Sequence, residues 1–397
     1  MSSSYLVNFW HSYRMAGRSR WARLAPVLVA AALAAGCTAS SAAPSSVNGW
    51  RLLSMPSIEA RVLTIVPDGN GLLVLGSVPG PAGRAPAAWT TTDGSSWQPV
   101  PLEPHTVYAG QAELVAVGAA GGHVMALGQA FGGAHSNPRL TIWSGGTAGL
   151  VEHEQPFETF GGPHAIAVND AAALPGTALL VGQWDGASGR YGAAVWTSAD
   201  GSTWHRDADD PALASAVGEQ TSALGAAAGP GGFLVVGDTL HGALLGPLVW
   251  TSPDGVVWHR VAVPSQPSTA PAGGATANRA ACDAGGCVVA GIALGSPWRA
   301  MCWPTHSGAV GAVGPGTAGP SGTTMQVSQV LLAGAQALVA LRVDNRAVLE
   351  STGRDCTGWR DIPLPIGADE VRVGELPAGL LLATTDATNS QLWLRSR

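Results

Sequence analysis

One tryptophan recurs along this chain at an almost constant interval. Trp89, Trp143, Trp196, Trp250 and Trp303 stand 54, 53, 54 and 53 residues apart, each preceded by an apolar or small residue. Trp393 follows after 90 residues, which leaves room for one intervening unit, somewhat shorter than the rest. In that unit Val348-Leu349-Glu350 lies where the tryptophan is due. The interval therefore counts seven units. A period of this length marks a supersecondary unit that buries its apolar face only by stacking on its neighbours. The skew of 15 Trp against 4 Tyr and 5 Phe agrees with a repeated packing position.

Each unit divides further. A short apolar run precedes each recurring position, at 72–78, 124–129, 178–182, 233–237, 288–293, 338–343 and 380–383. A second strand-like segment lies before each run, such as 61–66 and 114–118. Turn signals such as Asp68-Gly69-Asn70-Gly71 and Gly229-Pro230-Gly231-Gly232 separate them. Four short strands per unit, repeated seven times, predict an all-β, seven-bladed β-propeller of four-stranded antiparallel blades. The ends agree with a ring. The chain stops soon after Trp393, before a fourth strand, and Trp50-Arg51-Leu52-Leu53 resembles the fourth strands elsewhere. The N-terminal strand is expected to complete the last blade and remove an exposed edge. The body is expected over 50–397 as one monomeric propeller.

Three segments align after the tryptophans: TTDGSSW at 91–97, SADGSTW at 198–204 and SPDGVVW at 252–258. A looser form ends at Trp359. Asp and Gly suit a tight turn between the third and fourth strands, because Gly accepts positive φ and Asp bonds turn amides. These segments resemble the Asp-box of sialidase-like, BNR-type propellers, with one residue fewer between Asp and Trp. The resemblance implies structural roles for Asp93, Trp97, Asp200, Trp204, Asp254 and Trp258, on the face opposite the ligand.

The first residues read as an address. Arg18, Arg20 and Arg23 precede an apolar run from Leu24 to Ala35, too short to span a bilayer comfortably but suited to a signal peptide. The run ends in Leu33-Ala34-Ala35-Gly36-Cys37, which resembles the lipobox of bacterial lipoproteins, with Leu one place earlier than is usual. The resemblance implies a signal over 1–36 and a diacylglyceryl group on Cys37. The body would then sit on the outer face of the cytoplasmic membrane. Residues 37–49, rich in Ala and Ser, read as a flexible tether. Met15 is a second candidate start beside Met1.

Charge and residue usage exclude several classes. All 20 basic residues are Arg, so Schiff-base and P-loop lysine chemistry are absent. Four of those Arg and no acid lie before Cys37, so the body carries 16 Arg against 26 acids. That balance disfavours nucleic acid. No metal-ligand spacing occurs among the ten His, and no cofactor motif is found. Asp207, Asp209 and Asp210 form an acidic cluster, read as a solvated loop. Export permits disulfides among Cys282, Cys287, Cys302 and Cys356. Cys282 with Cys287, and Cys302 with Cys356 across neighbouring blades, are candidate pairs among three possible connectivities.

The sialidase-like resemblance implies, for an enzyme of that kind, an arginine triad, a Tyr–Glu pair and an Asp acid. The body offers only Tyr108 and Tyr191, and no matching arginine motif. The expectation is therefore a non-catalytic binding or scaffold module for a glycan or an envelope protein. A sialidase-like glycoside hydrolase is the alternative. The ligand-face candidates, on loops between second and third strands or between blades, are Tyr108, Arg139, Arg190, Tyr191, Trp298 and Arg299. Glu103, His105, His135, Asp185, Asp344 and Arg346 share those loops.

Overall fold

The computed structural model describes residues 46–132, 138–186, 189–261, 263–264, 274–305 and 313–397. They form seven sheets. Blade one is Arg61–Asp68, Gly71–Gly80, Gly83–Thr91 and Gln98–Pro99, paired antiparallel in chain order. Blades two to six repeat this order from first strands Glu113–Ala120, Ala165–Leu174, Glu219–Gly229, Ala275–Asp283 and Met325–Ala333. Blade seven takes Glu370–Leu376, Gly379–Thr385 and Ser390–Ser396 from the end of the chain. Its fourth strand is Trp50–Leu53, with Arg51, Leu52 and Leu53 opposite Leu394, Trp393 and Leu392. First strands pack on one another around the ring, and that of blade seven packs on that of blade one. The fold is thus the seven-bladed β-propeller that the repeat predicts.

Two blades carry a short fifth strand. Leu102–Glu103 pairs parallel with Gly149–His153 at the edge of blade two. Ser46–Val47 pairs with Trp50 and Arg51 through a turn in which Asn48 and Gly49 have φ of 54° and 80°. Among the described residues, regular structure therefore begins at Ser46, inside the stretch expected as tether. Residues 1–45, with Cys37 and the signal, lie outside the described residues.

The apolar runs are second strands, buried on both faces like Leu72, Leu73, Val74 and Leu75. That double burial explains why they are continuous rather than alternating. Seven apolar clusters among the described residues lie one at each blade interface. The recurring tryptophans face the preceding blade: Trp143 packs with Leu73 and Leu75 of blade one, and Trp250 with Leu179 and Val181 of blade three. Second-strand glycines meet the first strand closely. A Cβ at Gly76 or Gly237 would lie 1.8 or 1.7 Å from the carbonyl oxygen of Arg61 or Ser222.

The first strands of blades one to six each contain a register shift. Side chains from other blades take up carbonyls there. Arg372 Nε donates to Leu63 O at 2.8 Å, Arg279 to Leu224 O at 2.5 Å, and Asn169 Nδ2 to Ala223 O at 2.7 Å. Desolvation lowers the Arg372 pKa in this enclosed position. Such bonds satisfy backbone groups that the shift removes from the ladder.

The two disulfides join Cys282 to Cys287 and Cys302 to Cys356. The first closes the turn between two strands of blade five, and the second links blades five and six.

Candidate functional site

The turns after the third strands share one construction. Asp93 Oδ1 accepts Ser95 N–H and Ser96 N–H, both at 2.7 Å, and Gly94 N–H donates to Thr91 Oγ1 at 2.8 Å. Asp200 accepts Ser202 and Thr203 N–H at 2.8 Å, and Asp254 accepts Val256 N–H at 2.8 Å and Val257 N–H at 3.2 Å. These bonds favour the ionised carboxylate and hold all three pKa values below the ordinary range. Gly94, Gly201 and Gly255 have φ of 75°, 72° and 84°, which only glycine adopts without strain. Trp97, Trp204 and Trp258 pack into the blade-interface clusters behind the turns. Each carboxylate is engaged by its own turn, which gives these residues structural work.

The opposite end of the ring carries the second-to-third hairpins and the crossings between blades. There, on blades two and three, a patch of aromatic residues is exposed. Tyr108 lies on the crossing into blade two, Arg139 starts the third strand of that blade, and Phe157 opens the short helix Phe157–Phe160 on the next crossing. The Arg139 guanidinium lies 5.5 Å from the Tyr108 ring centre and 5.6 Å from that of Phe157. Both rings are exposed, at 43% and 58%, as are Val107 and Phe131. Phe131 follows Ala130, the cross-strand partner of Arg139. Among the described residues, the Arg139 Nε is buried without a hydrogen-bond partner.

This patch is held from beneath. Glu152, buried on the fourth strand of blade two, accepts His105 N–H, Thr106 N–H and Thr106 Oγ1–H, each at 2.7 Å. Thr106 Oγ1 in turn accepts Ala109 N–H at 3.1 Å. A buried carboxylate with three donors fixes the loop that presents Tyr108. Beside it, the Arg206 guanidinium lies 3.7 Å from the Trp184 ring centre and donates to Glu158 O at 2.8 Å.

The other candidates are dispersed. Arg190 Nε donates to Ser215 O at 3.0 Å, and Tyr191 is half-exposed on the blade-three hairpin. Trp298 packs half-buried against the cluster between blades five and six, while Arg299 is exposed. The structure brings Tyr108 and Arg139 together and leaves the blade-five pair elsewhere on the ring. His135 lies outside the described residues. Glu103 bonds His105 at 3.3 Å. The acidic cluster shapes its own loop: Asp207 accepts Asp209 and Asp210 N–H, and Asp210 accepts Ala212 N–H.

On blade one, Arg61 and Arg84 converge on Glu113. Arg61 bonds both its oxygens, at 2.8 and 3.0 Å, and Ser77 Oγ donates to it at 2.6 Å. Arg84 is fixed by Ser77 and by the Glu59 carbonyl. Among the described residues two carboxyls titrate high, and neither lies in the aromatic patch. Burial pushes Asp238 of blade four up to about 6, against a bond from Ser222. Burial, then the Asp361 charge, pushes Glu350 of blade six up to about 7. Sequence reasoning missed Phe157, Glu152 and Asp238. Among the described residues no three His, Cys, Asp or Glu side chains converge as metal ligands, and no helix is long and apolar enough to cross a membrane.

The strand pairing defines the class of the protein as a seven-bladed β-propeller. No protein-family model matches the sequence, and no curated protein matches it. Among solved structures the chain is similar to a Trypanosoma rangeli sialidase in complex with the inhibitor DANA, at 12% identity and TM-score 0.44 over 85% of this chain and 54% of that one. It is similar to prolyl oligopeptidase B from Galerina marginata, at 10% identity and TM-score 0.47 over 82% and 47%. Polysaccharide lyase Uly1 is a third, at 11% identity and TM-score 0.47 over 85% and 90%. The chain thus spans about half the length of the first two.

Proposed function

We propose that the protein is a non-catalytic binding module of the bacterial envelope, anchored outside the cytoplasmic membrane through lipid on Cys37, whose blade-two and blade-three rim takes a glycan or an envelope protein. One observation carries this reading: the exposed Tyr108–Arg139–Phe157 stack, with Tyr108 on a loop fixed by the buried Glu152. Preformed aromatic and Arg side chains are the usual anchors of recognition surfaces. The carboxyls with raised pKa values are on blades four and six, away from this stack. Arg61 and Arg84 of blade one are both held by Glu113. Both facts favour binding over hydrolysis.

The anchor rests on the lipobox-like segment ending in Cys37 and on the polar stretch behind it. Two or more acyl chains are needed for firm attachment. Fractionation of cells that express Cys37→Ser tests it: the body is expected to leave the membrane pellet while still folded. A variant wholly retained in the pellet rejects the anchor. A glycan array, with crosslinking on intact membranes beside it, tests the binding role. Turnover of an arrayed glycan would favour the hydrolase.

A further inference from the structure

Glu350 stands in the place of a tryptophan. Trp89, Trp196 and Trp250 lie opposite Pro99, Arg206 and Arg260, each two residues after the turn tryptophan of its blade. Glu350 lies opposite Asp361, two residues after Trp359. It is 7% exposed. Leu349 packs toward blade seven, so strand alternation turns Glu350 toward blade five, as the tryptophans turn toward their preceding blades. At this one interface a buried carboxyl replaces the largest apolar side chain of the repeat.

The same interface carries three cross-links. Cys302 immediately precedes Trp303 and is bonded to Cys356 of blade six. Arg354 of blade six makes a two-pronged ion pair with Asp283 of blade five. Trp359 Nε1 donates to Thr317 Oγ1 of blade five at 3.1 Å. We propose that the seam between blades five and six is the ring's pH-gated opening point, held shut by the Cys302–Cys356 disulfide and loosened when Glu350 carries its charge.

The charged neighbours fix the sign. The fourth strand of blade six presents Asp361, which repels a charged Glu350, and Arg360, exposed and paired in register with Ser351. The second strand offers Val339 and Ala340, which do not titrate. Blade five seals the seam with Val288, Ala290, Ile292 and Ala300. Asp283 and Arg354 keep their charges near neutral pH, because each favours the ionised form of the other. Glu350 therefore titrates against Asp361 in an apolar seam, and burial places its pKa at about 7. An acid raised in the closed state stabilises closure at low pH. That contribution falls as pH rises from the ordinary carboxylate range through 7.

Thiol labelling after reduction tests this, because Cys302 and Cys356 are wholly buried. The reduced protein is alkylated at pH 6 and pH 8, as wild type and as Glu350→Gln, and each cysteine is read by mass spectrometry. Dividing wild type by variant at each pH cancels thiolate chemistry. For Cys302 and Cys356 the ratio is expected to be about tenfold larger at pH 8 than at pH 6. For Cys282 and Cys287, which face blade four, it is expected to stay level. Asp361→Asn, an exposed change, should label more slowly than wild type at pH 8, and it tests the same repulsion if Glu350→Gln does not fold. A ratio equal at both pH values, or one rising alike at all four cysteines, overturns the proposal, as does wild-type labelling of Asp361→Asn.

Discussion

Trp50 Nε1 donates to the carbonyl of Pro363 at 2.9 Å, a bond between residues 313 apart in sequence. Trp50 is wholly buried among Leu338, Leu349 and Ile362 of blade six and Leu382 of blade seven. The strand that Trp50 opens therefore closes the ring and fills its last interface. Trp50→Ala is expected to cost about 3–5 kcal/mol, the range for truncating a buried aromatic side chain. Deletion of residues 50–55 is expected to bare the edge of the Ser390–Ser396 strand and promote aggregation. Denaturant melts and light scattering check both; a soluble deletion of unchanged stability contradicts closure here.

The two disulfides should differ in worth. Cys302–Cys356 closes a loop of 54 residues and joins two blades, while Cys282–Cys287 spans 5. Loop-closure entropy assigns about 4 kcal/mol to the longer and less to the shorter. A Cys302→Ala and Cys356→Ala pair is expected to lower the melting temperature well below that of Cys282→Ala with Cys287→Ala. Calorimetry under oxidising conditions makes the comparison.

The box turns carry a pH signature. Asp200 has a pKa lowered chiefly by the Thr203 amide, so its contribution exists above the ordinary carboxylate range and is lost as pH falls through that range. Asp200→Ala is expected to lower the melting temperature by a few degrees at neutral pH. Toward pH 3 the gap from wild type should narrow. A gap that widens in acid excludes this role.

Trp298 opens the third strand of blade five, half-buried against the cluster between blades five and six. Its contact with the cluster between blades five and six predicts that Trp298→Ala lowers stability. Arg299→Ala, at an exposed position, is expected to leave the melting temperature unchanged. Thermal melts of the two single variants separate them.

The repeat made the ring legible because interface packing asks for the same residue at the same register, and Trp89, Trp143, Trp196, Trp250 and Trp303 record it. The Asp-Gly turns were legible because their bonds are local. Residues that meet only through folding left no such trace. Phe157 joins Arg139 from the crossing into blade three, and Asp238 lies half-buried opposite Ser222, which Gln183 of blade three bonds at 2.6 Å. Glu350 showed in sequence as a missing tryptophan; its partner Asp361 emerged only with the strand register. Ser46–Val47 reads as tether because two residues carry no periodicity, and a turn at positive φ makes them a strand.

Ligand binding at the blade-two and blade-three rim is tested most directly by one comparison. The purified body, as wild type, as Tyr108→Ala with Arg139→Ala, and as Asp200→Ala, is titrated against the best ligand from the array or crosslinking screen, with melting temperatures measured alongside. The rim variant is expected to lose affinity by tenfold or more, on the order of what a hot-spot pair contributes, while its melting temperature changes little. Asp200→Ala is expected to melt earlier and bind as wild type. Unchanged affinity in the rim variant together with lost affinity in Asp200→Ala would place the ligand on the Asp-Gly turns and contradict a rim site.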